Sequence, residues 1–257
     1  MSVRTQRDGA IGWIVLDNPA KRNAINGGMW RAIPPAMKGF DADPGLRCVV
    51  IRGAGTEAFA AGADISEFEQ ARASQEAVRG YDGALEATLA ALEGSPRPVL
   101  AMIHGYCFGG GLEIALACDL RYSGESGQFA IPAARLSIGY GVRGTSRLVA
   151  TVGHTRAREI LYTGRRLDAR EALSIGLVNG VTPDSELEDR VREIASQLAE
   201  NAPLSIQASK AVIEAVVEPH GDFSRANEAV RRCASSEDYK EGRRAFMEKR
   251  KPRFQGK

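Results

Sequence analysis

This sequence predicts an α/β fold ending in a helical section, on three observations. Short apolar runs suited to buried strands recur at residues 11–16, 46–52 and 99–103. Between the last two runs, residues 76–93 place Leu85, Leu89 and Leu92 at helical spacing. From Asp184 onward helix formers and charges dominate, and no strand signal follows Val181. Strand–helix alternation favours parallel pairing, because parallel neighbours need a crossover between them.

The elements follow in order. Asp8-Gly9 is a hairpin-type turn dipeptide ahead of the first run. The LRCVVIR run at 46–52 reads as the next strand, and the 76–93 helix closes at Gly94, a residue suited to a C-cap. VLAMI at 99–103 is a third strand, GLEIALAC at 111–118 a short apolar helix, and Leu120 opens another strand. A helix over 185–200 ends at Asn201-Ala202-Pro203, since proline disfavours helical backbone in the residue before it. Further helices are expected after Pro203, Gly221 and Ser236. The core should therefore span residues 1–195 and the helical section 196–257.

Composition narrows the function. With 257 residues and 44% hydrophobic side chains, the chain is long enough for a substantial core. A net charge of +2 supplies no global field for nucleic acid or an anionic membrane, so neither partner is expected. No apolar run approaches the length of about 18 residues that a membrane helix needs, and the polar start of the chain carries no signal-peptide core. A cytoplasmic location is expected. Cys48, Cys107, Cys118 and Cys233 form no C-x-x-C pair, and the three that sit in apolar segments read as small buried apolar residues. His104, His154 and His220 have no zinc spacing, so no metal is expected. Walker A, G-x-G-x-x-G and Gly-x-Ser-x-Gly motifs are absent.

Two glycine-bearing segments stand out. Phe59-Ala60-Ala61-Gly62-Ala63-Asp64-Ile65 follows a strand, and its small side chains let a ligand approach the backbone. His104-Gly105-Tyr106-Cys107-Phe108-Gly109-Gly110-Gly111-Leu112-Glu113 runs from a strand into a helix whose first amides lack intrahelical partners. Such an end suits an oxyanion, and Glu113 sits one turn inside. Residue chemistry alone fits equally well a glycine triplet that only permits close packing and a Glu that only complements the helix dipole. Asp64 reads as the N-cap of whatever follows it.

In this order, with Asn18-Pro19, Lys21-Arg22-Asn23-Ala24-Ile25-Asn26, Phe129-Ala130-Ile131-Pro132, Thr163-Gly164-Arg165-Arg166-Leu167-Asp168-Ala169, Gly176-Leu177-Val178-Asn179 and the stretch from Ser236-Glu237-Asp238 to Phe254, the two segments resemble the crotonase (enoyl-CoA hydratase/isomerase) superfamily over nearly the whole chain. The resemblance implies a spiral core of repeated ββα turns, and C-terminal helices that assemble a homotrimer or a dimer of trimers. It also implies an acyl-CoA thioester as substrate, with coenzyme A part of that substrate and no separate cofactor. The backbone amides of Ala63 and Gly110 would form the oxyanion hole. Two preorganised donors stabilise a thioester enolate without rearranging, and losing one such donor costs roughly 3–4 kcal/mol in the transition state. Arg22 would lie near the CoA phosphates and Ala24 against the pantetheine backbone. The carbonyls of Ala61 and Ala63 would face the adenine amine, and Ile65 would line the acyl pocket. Phe246 and Lys249 match residues that reach a CoA, often on a neighbouring subunit.

One departure limits what the resemblance implies. Hydratases of the family use two glutamates; one matches Glu113, but the second position is Ala133. Isomerases usually keep the later Glu and dispense with the earlier, so the chain matches neither pattern. Tyr140, in a loop that faces the pocket in relatives, suits a hydrogen-bond or proton donor better than a base, because a phenol has a pKa near 10. Decarboxylases of the superfamily can place a Tyr here, but they carry a His where this chain has Ala63. The expected function is therefore an enoyl-CoA hydratase-like lyase with Glu113 as acid/base. The alternatives are a decarboxylase or isomerase on the same scaffold, or a catalytically silent acyl-CoA or RNA binder.

Overall fold

Gly9 and Ala10 turn the chain between two antiparallel strands, β1 (Ser2–Asp8) and β2 (Ile11–Asp17), in a computed structural model that describes residues 2–67, 74–217, 221 and 223–257. The turn falls one residue later than the Asp8-Gly9 pair suggests, because Asp8 still pairs with Ile11. His220 and the side chain of Ile65 lie outside the described residues. The hairpin starts a six-stranded sheet in the order β1-β2-β3-β5-β7-β10, with β3 Cys48–Gly53, β5 Val99–Ile103, β7 Leu120–Gly124 and β10 Gly180–Thr182. All pairings after the first are parallel.

A smaller sheet takes the order β4-β6-β8-β9, from Ala58–Ala60, Tyr106–Phe108, Gln128–Ala130 and Leu167–Asp168. Strands β3, β5 and β7 of the large sheet are each followed at once by a strand of the small one. Helices α2 (Gln75–Glu93) and α3 (Gly110–Ala117) then return the chain, which gives the repeated ββα turns of a spiral. The strands of the small sheet are three residues long or shorter, too brief for a periodic signal, and the sequence analysis did not separate them.

The central strands β2, β3 and β5 of the large sheet are buried on both faces, which explains why they are near-continuously apolar, whereas the edge strand β1 is polar and exposed. Ile14, Leu16, Val49, Ile51, Ala101 and Ile103 join the main core with Met29, Trp30 and Ile33 of α1 (Gly27–Ala42). The alternate residues Trp13, Cys48, Val50, Leu100 and Met102 pack against Leu187, Val191 and Ala195 of α6 (Leu187–Glu200). Asn26 caps α1, its side chain accepting from the Met29 amide. This helix went unread because Pro34 and Pro35 stand inside it, and proline ordinarily breaks a helix interior. The long α4 (Val142–Thr163) was also unread; it is interrupted at Gly153 and followed by α5 (Ala169–Ser174).

Three helices complete the chain: α7 (Pro203–Val217), α8 (Phe223–Ala234) and α9 (Glu237–Met247). Lys210 ties α7 to the core by donating to Asp119 at 2.9 Å and to the Arg97 carbonyl at 3.2 Å. Asp238, nearly fully buried, accepts from the backbone amides of Gln255 and Gly256, both at 2.7 Å, and so fixes the end of the chain. Among the described residues no helix is long and apolar enough to cross a membrane.

Candidate active site

The end of β4 and the start of α3 face one another across a cavity of about 400 Å3. Ala63 forms a parallel bridge with Ile25, using the Gly62 carbonyl (2.8 Å) and the Asp64 amide (2.9 Å). The intervening Ala63 N–H is therefore turned to the other side. Gly110 is the first residue of α3, where no intrahelical acceptor exists for its amide. Among the described residues neither amide is paired, and a Cβ placed on Gly110 would lie 3.5 Å from the Ala63 nitrogen. Gly109 makes this junction with φ 46° and ψ −116°, a conformation that a side chain would oppose.

Glu113 lies one turn further along α3 and is 7% exposed. Its carboxylate makes no hydrogen bond with the described residues. Burial, helped by the nearby Glu86 charge, raises its pKa to about 7. Tyr140 lines the same cavity, and its buried hydroxyl has no partner among the described residues. Burial first, then the Glu113 charge, pushes the phenol well above its ordinary value, so it stays protonated and serves as a donor. Ala133 is in the cavity wall, within a 3-10 turn over Pro132–Leu136.

The structure brings Ala61, Ala63, Gly110, Glu113 and Tyr140 to one cavity. Arg22 lies outside it on the surface, donating to Glu57 at 2.7 Å with its guanidinium 4.8 Å over the Tyr106 ring. Arg166 sits 5.4 Å over Phe108, and that ring lines the cavity. Ala24 is buried beside the Ile25–Ala63 bridge, its carbonyl accepting from Asn18 at 2.8 Å. Asp64 caps its turn through the Ser66 amide at 3.1 Å and also takes the Lys21 ammonium at 2.7 Å. Phe246, 82% exposed, and Lys249 are not brought to the cavity within one chain. Phe246 instead lines a separate hollow with Cys233, Tyr239 and Phe254.

Several residues escaped the sequence reading. Trp30 backs Gly110 and donates its indole N–H to the Tyr81 hydroxyl at 3.0 Å. Gly144 lies directly against Glu113. Glu86 reaches the cavity from α2, beside Leu85, and only its place next to the apolar stripe hints at this. Cys48, Cys107 and Cys118 are buried as expected, and burial raises the Cys48 and Cys118 thiols to about 12.

A family model for enoyl-CoA hydratase/isomerase matches residues 6–257. A short-chain-enoyl-CoA hydratase of Clostridium acetobutylicum is 34% identical over 97% of this chain and 96% of its own length. A carnitinyl-CoA dehydratase of Salmonella enteritidis is 38% identical over 100% of this chain and 99% of its own. Among solved structures, an enoyl-CoA hydratase/carnithine racemase from Magnetospirillum magneticum superposes with a TM-score of 0.94 at 38% identity, covering 99% of this chain and 96% of that one.

Proposed function

The chain belongs to the enoyl-CoA hydratase/isomerase family of enzymes, and on that premise we propose that it adds water across the 2,3-double bond of an enoyl-CoA thioester, with Glu113 as the acid/base. One observation carries this reading. A buried, unpaired carboxylate and two unpaired amides line one cavity, which is the arrangement that an enolate and a mobile proton require.

The thioester oxygen accepts from the Ala63 and Gly110 amides, which stabilise the negative charge that develops there. Ionised Glu113 takes one proton from water as the water oxygen bonds to the β-carbon. It then passes that proton to the α-carbon, so a single carboxylate completes the addition and ends as it began. In the reverse direction Glu113 takes the α-proton and returns it to the departing oxygen, to which Tyr140 donates a hydrogen bond while keeping its own proton. Ala24 and Ala61 hold the pantetheine arm and the adenine respectively. Arg22, and Phe246 with Lys249 of a neighbouring subunit in a trimer or dimer of trimers, meet the nucleotide end. The relatives named as a hydratase and a dehydratase support addition and removal of water.

Decarboxylation of a malonyl-type thioester fits less well. The described residues lining the cavity include Asp82, Glu86 and Glu113 but no Lys, Arg or His, so a substrate carboxylate would meet like charge. The test is to assay crotonyl-CoA hydration, 3-enoyl-CoA isomerisation and malonyl-CoA decarboxylation side by side on the native protein and on Glu113→Gln. Hydration should dominate and fall by about 10²–10⁴-fold in the variant, with affinity for an unreactive acyl-CoA kept within severalfold. Near-normal turnover of the variant would remove Glu113 from the chemistry.

A further inference from the structure

The first turn of α4 addresses two carboxylates at once. Arg143 donates from Nε to Glu86 Oε2 at 2.8 Å, and its neighbour Gly144 is packed against Glu113. Arg143 also pairs with Glu93, which takes Arg147 Nε at 3.0 Å, and Arg147 reaches Glu214 of α7 at 2.6 Å. This ladder of alternating charge runs along α2 and α4 and ends at Glu86, in the cavity wall. Glu86 Oε1 makes no hydrogen bond with the described residues.

We propose that Glu86, anchored by Arg143, is the second carboxylate of this active site, replacing from α2 the group that Ala133 lacks. The inference rests on the hydration reading. Water has two O–H bonds to manage. One proton goes to Glu113 and on to the α-carbon. The other stays on the oxygen that bonds to the β-carbon and donates to Glu86 Oε1, so Glu86 orients the water without itself changing protonation. Its negative charge also makes Glu113 a stronger base, because two nearby carboxylates resist joint ionisation. The groups facing Glu113 are Glu86 and Tyr81 from α2 and Tyr140 from the loop before α4; Arg143 and Asp82 stand beside Glu86. The Glu86 side chain is 48% exposed, and the ion pair to Arg143 fixes one of its oxygens and leaves the other for water.

The experiment compares native protein, Glu86→Gln and Arg143→Gln with crotonyl-CoA from pH 5 to 9, with butyryl-CoA affinity measured by calorimetry. Glu86→Gln should lower kcat by about 10–10²-fold, leave butyryl-CoA affinity within about threefold, and move the acidic limb of kcat/KM to lower pH. Arg143→Gln should move that limb the other way, because the cation that offsets the Glu86 charge is lost while Glu86 remains beside Glu113. If Glu86→Gln keeps kcat within twofold, or loses activity with the limb unmoved, the assignment is overturned. If Glu86→Gln does not fold, Arg143→Gln decides alone, and an unshifted or lowered limb rejects the proposal. Glu113→Gln run in parallel separates the two readings. An active Glu113 variant defeats the hydration mechanism, whereas an inactive Glu113 variant beside a normal Glu86 variant defeats only the role of Glu86.

Discussion

Gly144 lies directly against the carboxylate of Glu113. A Cβ added to Gly144 would overlap Glu113 Oε1, and would stand 3.1 Å from Glu113 Cδ and 2.8 Å from a ring carbon of Tyr140. The two residues come from different helices, so the absence of a side chain on α4 is what leaves room for an acid on α3.

Gly144→Ala should therefore displace Glu113 without disturbing the backbone, since Gly144 is helical and alanine favours a helix. Misplacing a catalytic group by about 1 Å costs on the order of 10²-fold in rate. We expect kcat for crotonyl-CoA to fall by about that factor, with the far-ultraviolet circular dichroism unchanged. Retained activity would show that Glu113 has room to move without consequence.

The pH dependence follows from Glu113. With its pKa raised to about 7, the ionised base accumulates as pH rises through that value, so kcat/KM should climb and level off above it. Stability should run the other way. The folded carboxyl keeps a proton that the unfolded chain has already lost between about pH 4 and 7. Stability contributed by the neutral form is thus present at low pH and lost as pH rises through the folded value. Glu113→Gln should remove this loss and raise Tm at pH 8 by about 3–6 °C, on the order of 1–2 kcal/mol, while turnover falls by about 10²–10⁴-fold. A rate that declines above pH 7 would instead assign the reactive form to the protonated acid.

Ala133→Glu tests the departure from the two-glutamate pattern. Ala133 lines the cavity, so a carboxylate there would stand in the same space as Glu113. Hydration should rise if Glu113 works alone and gain little if Glu86 already serves as the second carboxylate. In either case one of the carboxyls should titrate at higher pH, adding a limb to the rate profile. A loss of every activity would mean that the acyl group or Tyr140 needs the space.

Lys249→Ala addresses the nucleotide end of the substrate. Lys249 has φ 55° just beyond α9, and Phe246 of the same turn is 82% exposed. The Michaelis constant should rise severalfold for CoA esters and stay constant for pantetheine esters. Light scattering on the native protein should give a trimer or a multiple of three. Equal effects on both esters would remove Lys249 from the site.

The sequence by itself determined the four central strands of the large sheet and the final helices. Runs such as VLAMI at residues 99–103 became β5 within the same limits, because a strand buried on both faces must be apolar at every position. It also placed Glu113 one turn inside a glycine-led helix, since that arrangement is local in the chain. Tertiary structure decided the rest. Helix α1 forms despite Pro34 and Pro35 because Met29, Trp30 and Ile33 bury a continuous face, and tertiary burial outweighs local propensity. The pairing of Gly144 with Glu113, and of Arg143 with Glu86, joins residues tens of positions apart on separate helices. No periodicity or motif records such a meeting, because it depends on how helices pack on the spiral and not on the order of residues within any one of them.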